Sequence, residues 1–284
     1  LLSFSSVIRR IVMNDNPCHY LEAVADIARR AGAAIMKIYQ QDFQVDNKDD
    51  GSPLTQADLA AHNLIAEALQ RLTPELALLS EESRDIPWHE RSHWQNYWLV
   101  DPLDGTKEFV SRNGEFTVNI CLVSNHRPVL GVVYAPVHDI LYMGCEGQGA
   151  TRTGSDGVRE TIQVRQYAGK NPTIVASRSH RGEVLEQVLQ RINVRQGEAE
   201  IISMGSSFKL CLVAEGKADL YPRLGPTSEW DTAAAHAVVK AAGGRVTDLS
   251  GNELEYNKEN ILNPWFVVSN SEYDWLPIIN DETA

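Results

Sequence analysis

Three apolar segments follow one another within a short stretch: FTVNICLV (116–123), PVLGVVYA (128–135) and ILYMGC (140–145). They are rich in β-branched and aromatic residues, and turn signals such as SNHRP separate them. Links this short join antiparallel neighbours, so much of the first half must fold as a sheet. Helical patterns surround this sheet. Residues 20–39 place Leu21, Val24, Ala28, Ala31, Ile35 and Ile38 at steps of three or four. A second helix spans about 55–72, with Leu59, Ile65, Leu69 and Leu72 on one side, after a polar loop at 42–53. A short apolar stretch, 76–79, ends in two glutamates, and residues 83–96 are irregular.

From about residue 147 the character changes. TIVAS (173–177) and ADLYPRL (218–224) read as strands, with helical stretches near 182–192 and 206–216. A small-residue helix at 231–242 is stopped by Gly243-Gly244. The alternation predicts layered sheets and helices. The expected organisation is a flexible extension at 1–12, an N-terminal α+β subdomain at 13–146 and a C-terminal α/β subdomain at 147–284.

The net charge of −12 argues against a nucleic-acid polymer as partner, since a phosphate backbone favours a basic face. A small anionic ligand would then need metal ions or a few clustered cations. The four cysteines form no CxxC pair; Cys121 and Cys211 sit in apolar runs and read as core. Nothing in their spacing demands a disulfide, which points to a reducing cytoplasm. No run of 18 apolar residues suggests a membrane span. In LLSFSSVIRRIVM the arginines follow the apolar stretch, unlike a secretory signal.

Acidic residues gather at element ends. Glu81-Glu82 follow one apolar stretch, Asp101 and Asp104 end another in WLVDPLDGT (98–106), and Asp231 opens a helix. Element ends are where sites are commonly built. Converging carboxylates repel one another unless a hard cation such as Mg²⁺ joins them. Pro102 stiffens the loop, the Leu103 carbonyl offers a further oxygen, and Gly105 permits close approach of a phosphate. A plainer reading stands beside each: solvated glutamates, a helix cap at Asp231, a turn at DPLDGT, and a capping box in TQAD with Thr55 as cap and Asp58 as its partner. HExxH, GxSxG and GxxxxGK[ST] motifs are absent. Phosphatases with an aspartate nucleophile carry D-x-D-G-T. Here D-P-L-D-G-T is one residue longer, which favours attack by metal-activated water over a covalent aspartyl-phosphate.

LLSEES, DPLDGTKEF and WDTAAAHAVVKAAGG occur in that order. They resemble the three signatures of the lithium-sensitive, Mg²⁺-dependent phosphatase superfamily that includes inositol monophosphatase, over about residues 20–270. DGTKEFVSRNGEFTVNI and GSSFKLCLVAEGKADLYPRLGPTSEWDTAA resemble its bisphosphate-nucleotidase branch. Lys107-Glu108-Phe109 stand where inositol monophosphatases more often have Thr-Asn-Phe, and Ala235 stands where Gly is usual. The resemblance implies an alternating αβαβα sandwich. It implies two or three Mg²⁺ ions, one held by Glu81, Asp101 and the Leu103 carbonyl, another by Asp101, Asp104 and Asp231. Thr106 would orient the attacking water with Asp58 as its partner, and Glu81 would share in catalysis. The implied reaction removes the 3′-phosphate of adenosine 3′,5′-bisphosphate, and of 3′-phosphoadenylyl sulfate, in sulfate assimilation. Substrate contacts would come from Glu81, Leu103, Asp104, Gly105, Thr106 and Asp231. For the second phosphate the candidates are Ser206, Ser207, Lys209 and Arg223, with Ser177, Arg178, Ser179 and His180. An inositol phosphate phosphatase and a non-catalytic metal or nucleotide sensor remain the alternatives. Monomer or homodimer, and a peripheral association with the inner membrane, are left open.

Overall fold

The computed structural model describes residues 16–41, 53–177 and 183–279. The expected extension at 1–12, the loop at 42–52 and the candidates Arg178, Ser179 and His180 lie outside the described residues. The helices are α1 (Leu21–Tyr39), α2 (Pro53–Leu72), α3 (Trp88–Arg91), α4 (Thr106–Val110), α5 (Glu183–Gln196), α6 (Phe208–Ala214), α7 (Glu229–Ala241) and α8 (Leu276–Ile279). Strands β1 (Ala77–Ser80), β2 (Asn96–Asp104), β3 (Thr117–Ser124), β4 (Arg127–Ala135), β5 (Ile140–Cys145), β6 (Gly149–Thr153) and β7 (Arg159–Ile162) form one sheet in chain order. Only β1–β2 is parallel there. Strands β8 (Thr173–Ser177), β9 (Glu200–Met204), β10 (Leu220–Arg223), β11 (Gly244–Asp248) and β12 (Phe266–Asn270) form a mixed sheet in the order β11-β12-β10-β8-β9.

The period-two pattern of the first sheet builds two cores. Trp98 and Val100 join Ile120, Leu122 and Val132 on the α1/α2 face. Tyr97 and Leu99 join Cys121, Val123 and Val133 on the opposite face, with Leu212, Val238 and Val239 of α6 and α7. A third core packs Leu185, Val188 and Ile278 of α5 and α8 against Ile174 and Val267 of the second sheet. The layers therefore run α1/α2, sheet, α6/α7, sheet, α5/α8, as the family resemblance implied.

Several expectations need correction. Leu59 is 41% exposed, because the buried stripe of α2 runs through Ala57, Ala61, Ile65 and Leu69 at steps of four. Thr55 lies within the first turn of α2, which begins at Pro53, so it is not the cap. The change of character near residue 147 falls inside the first sheet, which continues to Ile162. The irregular stretch at 83–96 contains the short helix α3. Cys18 and Cys145 form a disulfide with Cα atoms 5.7 Å apart, which nothing in the cysteine spacing demanded. The entry to α1 folds over the end of β5, a juxtaposition that cysteine spacing does not reveal. The argument for a reducing compartment loses its support. Cys121 and Cys211 are buried and free, as expected. Among the described residues, no helix is long and apolar enough to cross a membrane.

Helix α7 lies directly on the first sheet because Gly131 leaves room for it. A Cβ there would stand 2.1 Å from the Ala234 carbonyl oxygen. Gly131→Ala is expected to force α7 outward, destabilising the fold by about 1–3 kcal/mol or more. A thermal melt should show a fall on the order of 5 °C. An unchanged melting temperature would refute this packing account.

Candidate active site

The first sheet delivers its acidic residues through a defect in its ladder. Asp101 pairs with Asn119 and Asp104 with Thr117, so three steps on β2 match two on β3. Pro102 and Leu103 form a bulge opposite Val118. Regular alternation from Leu99 would put Asp101 on the α7 face and Asp104 on the α1/α2 face. The bulge turns Leu103 into the α1/α2 core instead and brings Asp104 to the side of Asp101. The spacing that distinguishes D-P-L-D from D-x-D is thus what allows both carboxylates to share one face. The Leu103 N–H donates to Asp101 Oδ1 at 3.0 Å, fixing the bulge.

Two neighbours complete the cluster. Glu81 follows β1 on a single 3-10 turn, where Ser80 Oγ accepts from the Glu82 N–H. Asp231 is the third residue of α7. Its carboxylate accepts from the Ser228 N–H at 2.9 Å in a capping box, so Ser228 and not Asp231 is the cap, and Asp231 is its partner within the box. One ligand atom each from Glu81, Asp101 and Asp231 lies within 4.8 Å of the others. Asp101 is 1% exposed. Burial, then Glu81, Asp104 and Asp231, raise its pKa well above the carboxylate range. Burial and neighbouring carboxylates push Glu81 up to about 7 and Asp231 to about 8. Asp58 on α2 is pushed to about 8 by burial, then by Glu82 and Glu81. Its Oδ1 is buried without a hydrogen-bond partner.

Asp104 lies on the same face, at the edge of the cluster nearest α6. It accepts from the Ser207 N–H at the entry to α6. Burial raises its pKa, opposed by the charge of Lys209 and by that N–H. Gly105 follows with φ +100°, a conformation that suits glycine. Thr106 then opens α4 and is exposed. Beyond Asp104 a pocket is lined by Ser206, Lys209, Tyr221 and Arg223, and it shares Asp104 and Asp231 with the acidic cluster. Lys209 is largely buried, with its ammonium 5.8 Å from the centre of the Tyr221 ring. Burial lowers its pKa to about 8. Arg223 Nη2 donates to the Pro226 carbonyl at 2.9 Å, while its Nε is buried without a partner. Ser206 is left-handed at φ 47°, and its Oγ accepts from the Phe208 N–H. Ser207 lines the same pocket, but its hydroxyl is already engaged. Its hydroxyl lies 2.8 Å from Thr117 Oγ and 2.7 Å from Asn119 Oδ1, with the side chain 2% exposed. Thr117 and Asn119 were not singled out from sequence, although two polar residues at alternate positions of an apolar strand mark one face as different.

The donor set fits a hard divalent cation. Every group is a carboxylate oxygen, the charges repel, and a buried Asp58 oxygen lacks a partner. A five-layer α+β fold with a buried carboxylate cluster beside a cationic pocket defines the general class. The chain belongs to the inositol monophosphatase family, whose profile matches residues 18–275. It is 53% identical over 253 residues to the 3′(2′),5′-bisphosphate nucleotidase CysQ of Salmonella typhimurium, covering 88% of this chain and 99% of that one. The Escherichia coli K12 protein of the same name is 52% identical with the same coverage. The crystal structure of CysQ from Bacteroides thetaiotaomicron superposes with a TM-score of 0.81 at 44% identity, over 89% of this chain and 98% of that one. An inositol monophosphatase from Anabaena superposes at 0.69 with 26% identity, over 89% and 90% of the two chains.

Proposed function

We propose that the chain is a Mg²⁺-dependent phosphatase that removes the 3′-phosphate of adenosine 3′,5′-bisphosphate in sulfate assimilation, giving AMP and phosphate. It also takes 3′-phosphoadenylyl sulfate. The observation that carries this reading is the shared wall of Asp104 and Asp231, with carboxylates on one side and Lys209 and Arg223 on the other. A ligand with two phosphates fits such a divided site. The nucleotidase names of relatives more than half identical support the same substrate class.

Glu81, Asp101, Asp104, Asp231 and the Leu103 carbonyl hold two or three Mg²⁺ ions. Bound there, the ions supply positive charge for the phosphoryl oxygens and the leaving 3′-oxygen, and acidify water. The rest falls to the protein. The Thr106 hydroxyl orients the attacking water, and Asp58, ionised once cations sit beside it, takes up the water's proton; its buried Oδ1, which has no hydrogen-bond partner, supports this reading. Gly105 lets the phosphate approach the backbone. Ser206, Lys209 and Arg223 neutralise and orient the 5′-phosphate. Water attacks phosphorus opposite the 3′-oxygen and gives its proton to Asp58, the P–O3′ bond breaks, and the ribose oxygen takes a proton from solvent.

The test is phosphate release with Mg²⁺ from adenosine 3′,5′-bisphosphate, 3′-phosphoadenylyl sulfate and inositol monophosphate, with and without lithium. Turnover should be fastest on the bisphosphate and lithium-inhibited. Fast turnover of inositol monophosphate alone would overturn the assignment. Arg223→Gln should raise KM for the bisphosphate about 10–100-fold, the loss of one charge-assisted hydrogen bond. KM for adenosine 3′-monophosphate should stay near wild type. Equal effects on both substrates would remove Arg223 from the 5′-phosphate site.

A further inference from the structure

One buried polar network beside the acidic cluster takes no part in the mechanism above. The Asn119 Oδ1 only accepts, so the Ser207 hydroxyl hydrogen is committed to it at 2.7 Å. Thr117 must then donate to Ser207 Oγ at 2.8 Å. The relay runs in one direction, Thr117 to Ser207 to Asn119, and all three residues are at most 2% exposed. Each end stands opposite a carboxylate in the ladder: Thr117 pairs with Asp104 and Asn119 with Asp101. The centre grips Asp104 directly through the Ser207 N–H. The left-handed Ser206 precedes that N–H. Asn119 Nδ2 is left buried without a partner, on the residue paired with Asp101.

We propose that Ser207 is a positioning residue, whose hydroxyl relay with Thr117 and Asn119 fixes the geometry of Asp104 and Asp101 for divalent cation binding. The inference rests on the metal-site reading and not on the choice of substrate. The relay joins the strand that follows the aspartates to the loop that enters α6, so both aspartates are set from one rigid node. Outer partners of this kind typically change metal affinity 10- to 100-fold when removed.

The experiment measures Mn²⁺ binding without substrate, by the electron paramagnetic resonance signal of free Mn²⁺, on the full chain. Ser207→Ala keeps the backbone N–H and removes the hydroxyl. It should raise the Mn²⁺ dissociation constant about 10- to 100-fold. Thr117→Val keeps the volume and loses the hydroxyl; Thr117→Ser does the reverse. Affinity should follow the hydroxyl, with Thr117→Val weakened severalfold and Thr117→Ser near wild type. A purely structural role would follow volume instead, and Thr117→Ser would be the damaged variant in both melting temperature and binding. Wild-type Mn²⁺ affinity in Ser207→Ala and Thr117→Val would overturn the proposal. Weakened Mn²⁺ binding in a protein that hydrolyses none of the three phosphate esters would uphold it and refute the substrate assignment.

Discussion

Asp101→Asn is expected to lower phosphate release from adenosine 3′,5′-bisphosphate by more than about 100-fold, because outer partners alone cost 10–100-fold. The same change should leave the metal-free protein as stable as wild type or more so. Asp101 is buried between Glu81 and Asp231, and each carboxylate disfavours the ionised form of the others. An amide keeps the Oδ1 that accepts from Leu103 and removes the cost of protonating a buried, crowded carboxylate on folding. Two measurements on one variant therefore move apart. Phosphate release should collapse, while the melting temperature in EDTA holds or rises. Wild-type protein should gain stability on adding Mg²⁺, and the variant little. Near-normal turnover would remove Asp101 from the cation site. A marked fall in the EDTA melting temperature would mean that the carboxylate supports the fold.

The metal-free protein should lose stability as pH rises from about 6.5 to 8.5. Glu81 at about 7, and Asp58 and Asp231 at about 8, lie above their unfolded values near 4. The folded state therefore holds protons that the unfolded state has released. The stability linked to these groups is fully present below their unfolded values and is lost as pH rises through the folded ones. The melting temperature in EDTA should fall by on the order of 5 °C across this window. Mg²⁺ should cancel the fall, since it binds the ionised carboxylates of the folded state. Glu253 does not interfere, because His236 and then Lys240 hold it near 2. A flat or rising profile in EDTA would show that the carboxylates are not crowded in solution.

Much of this site could be read from residue order, and the reasons are local. The amphipathic step of α1, the strand-like runs of β3 to β5 and the stop at Gly243 need only near neighbours. The acidic residues stood out because carboxylates at the ends of apolar runs are costly unless partnered. What escaped was set by register and packing. DPLDGT shows a three-residue spacing, but only pairing with Asn119 and Thr117 reveals that a bulge brings Asp104 round to Asp101. Ser207 reads as a phosphate contact in GSSFK until β3 claims its hydroxyl. The Cys18–Cys145 bond joins residues 127 apart, a distance at which sequence spacing says nothing. Leu59 misled because one apolar residue does not fix the phase of a helix whose buried stripe includes alanines.

The division of the site between the two sheets has a consequence for how such a chain can change over time. Asp101 and Glu81 extend from strands of the first sheet, and α7 brings Asp231 while packed on that sheet through Gly131. Arg223 belongs to β10 of the second sheet, beside Phe266 of β12. Under the proposed assignment, substitutions in the second sheet would reshape what is recognised without disturbing the carboxylates that hold the cations. Selectivity and reactivity would then be separately adjustable, and lineages with the same carboxylates would be free to diverge in the esters they accept.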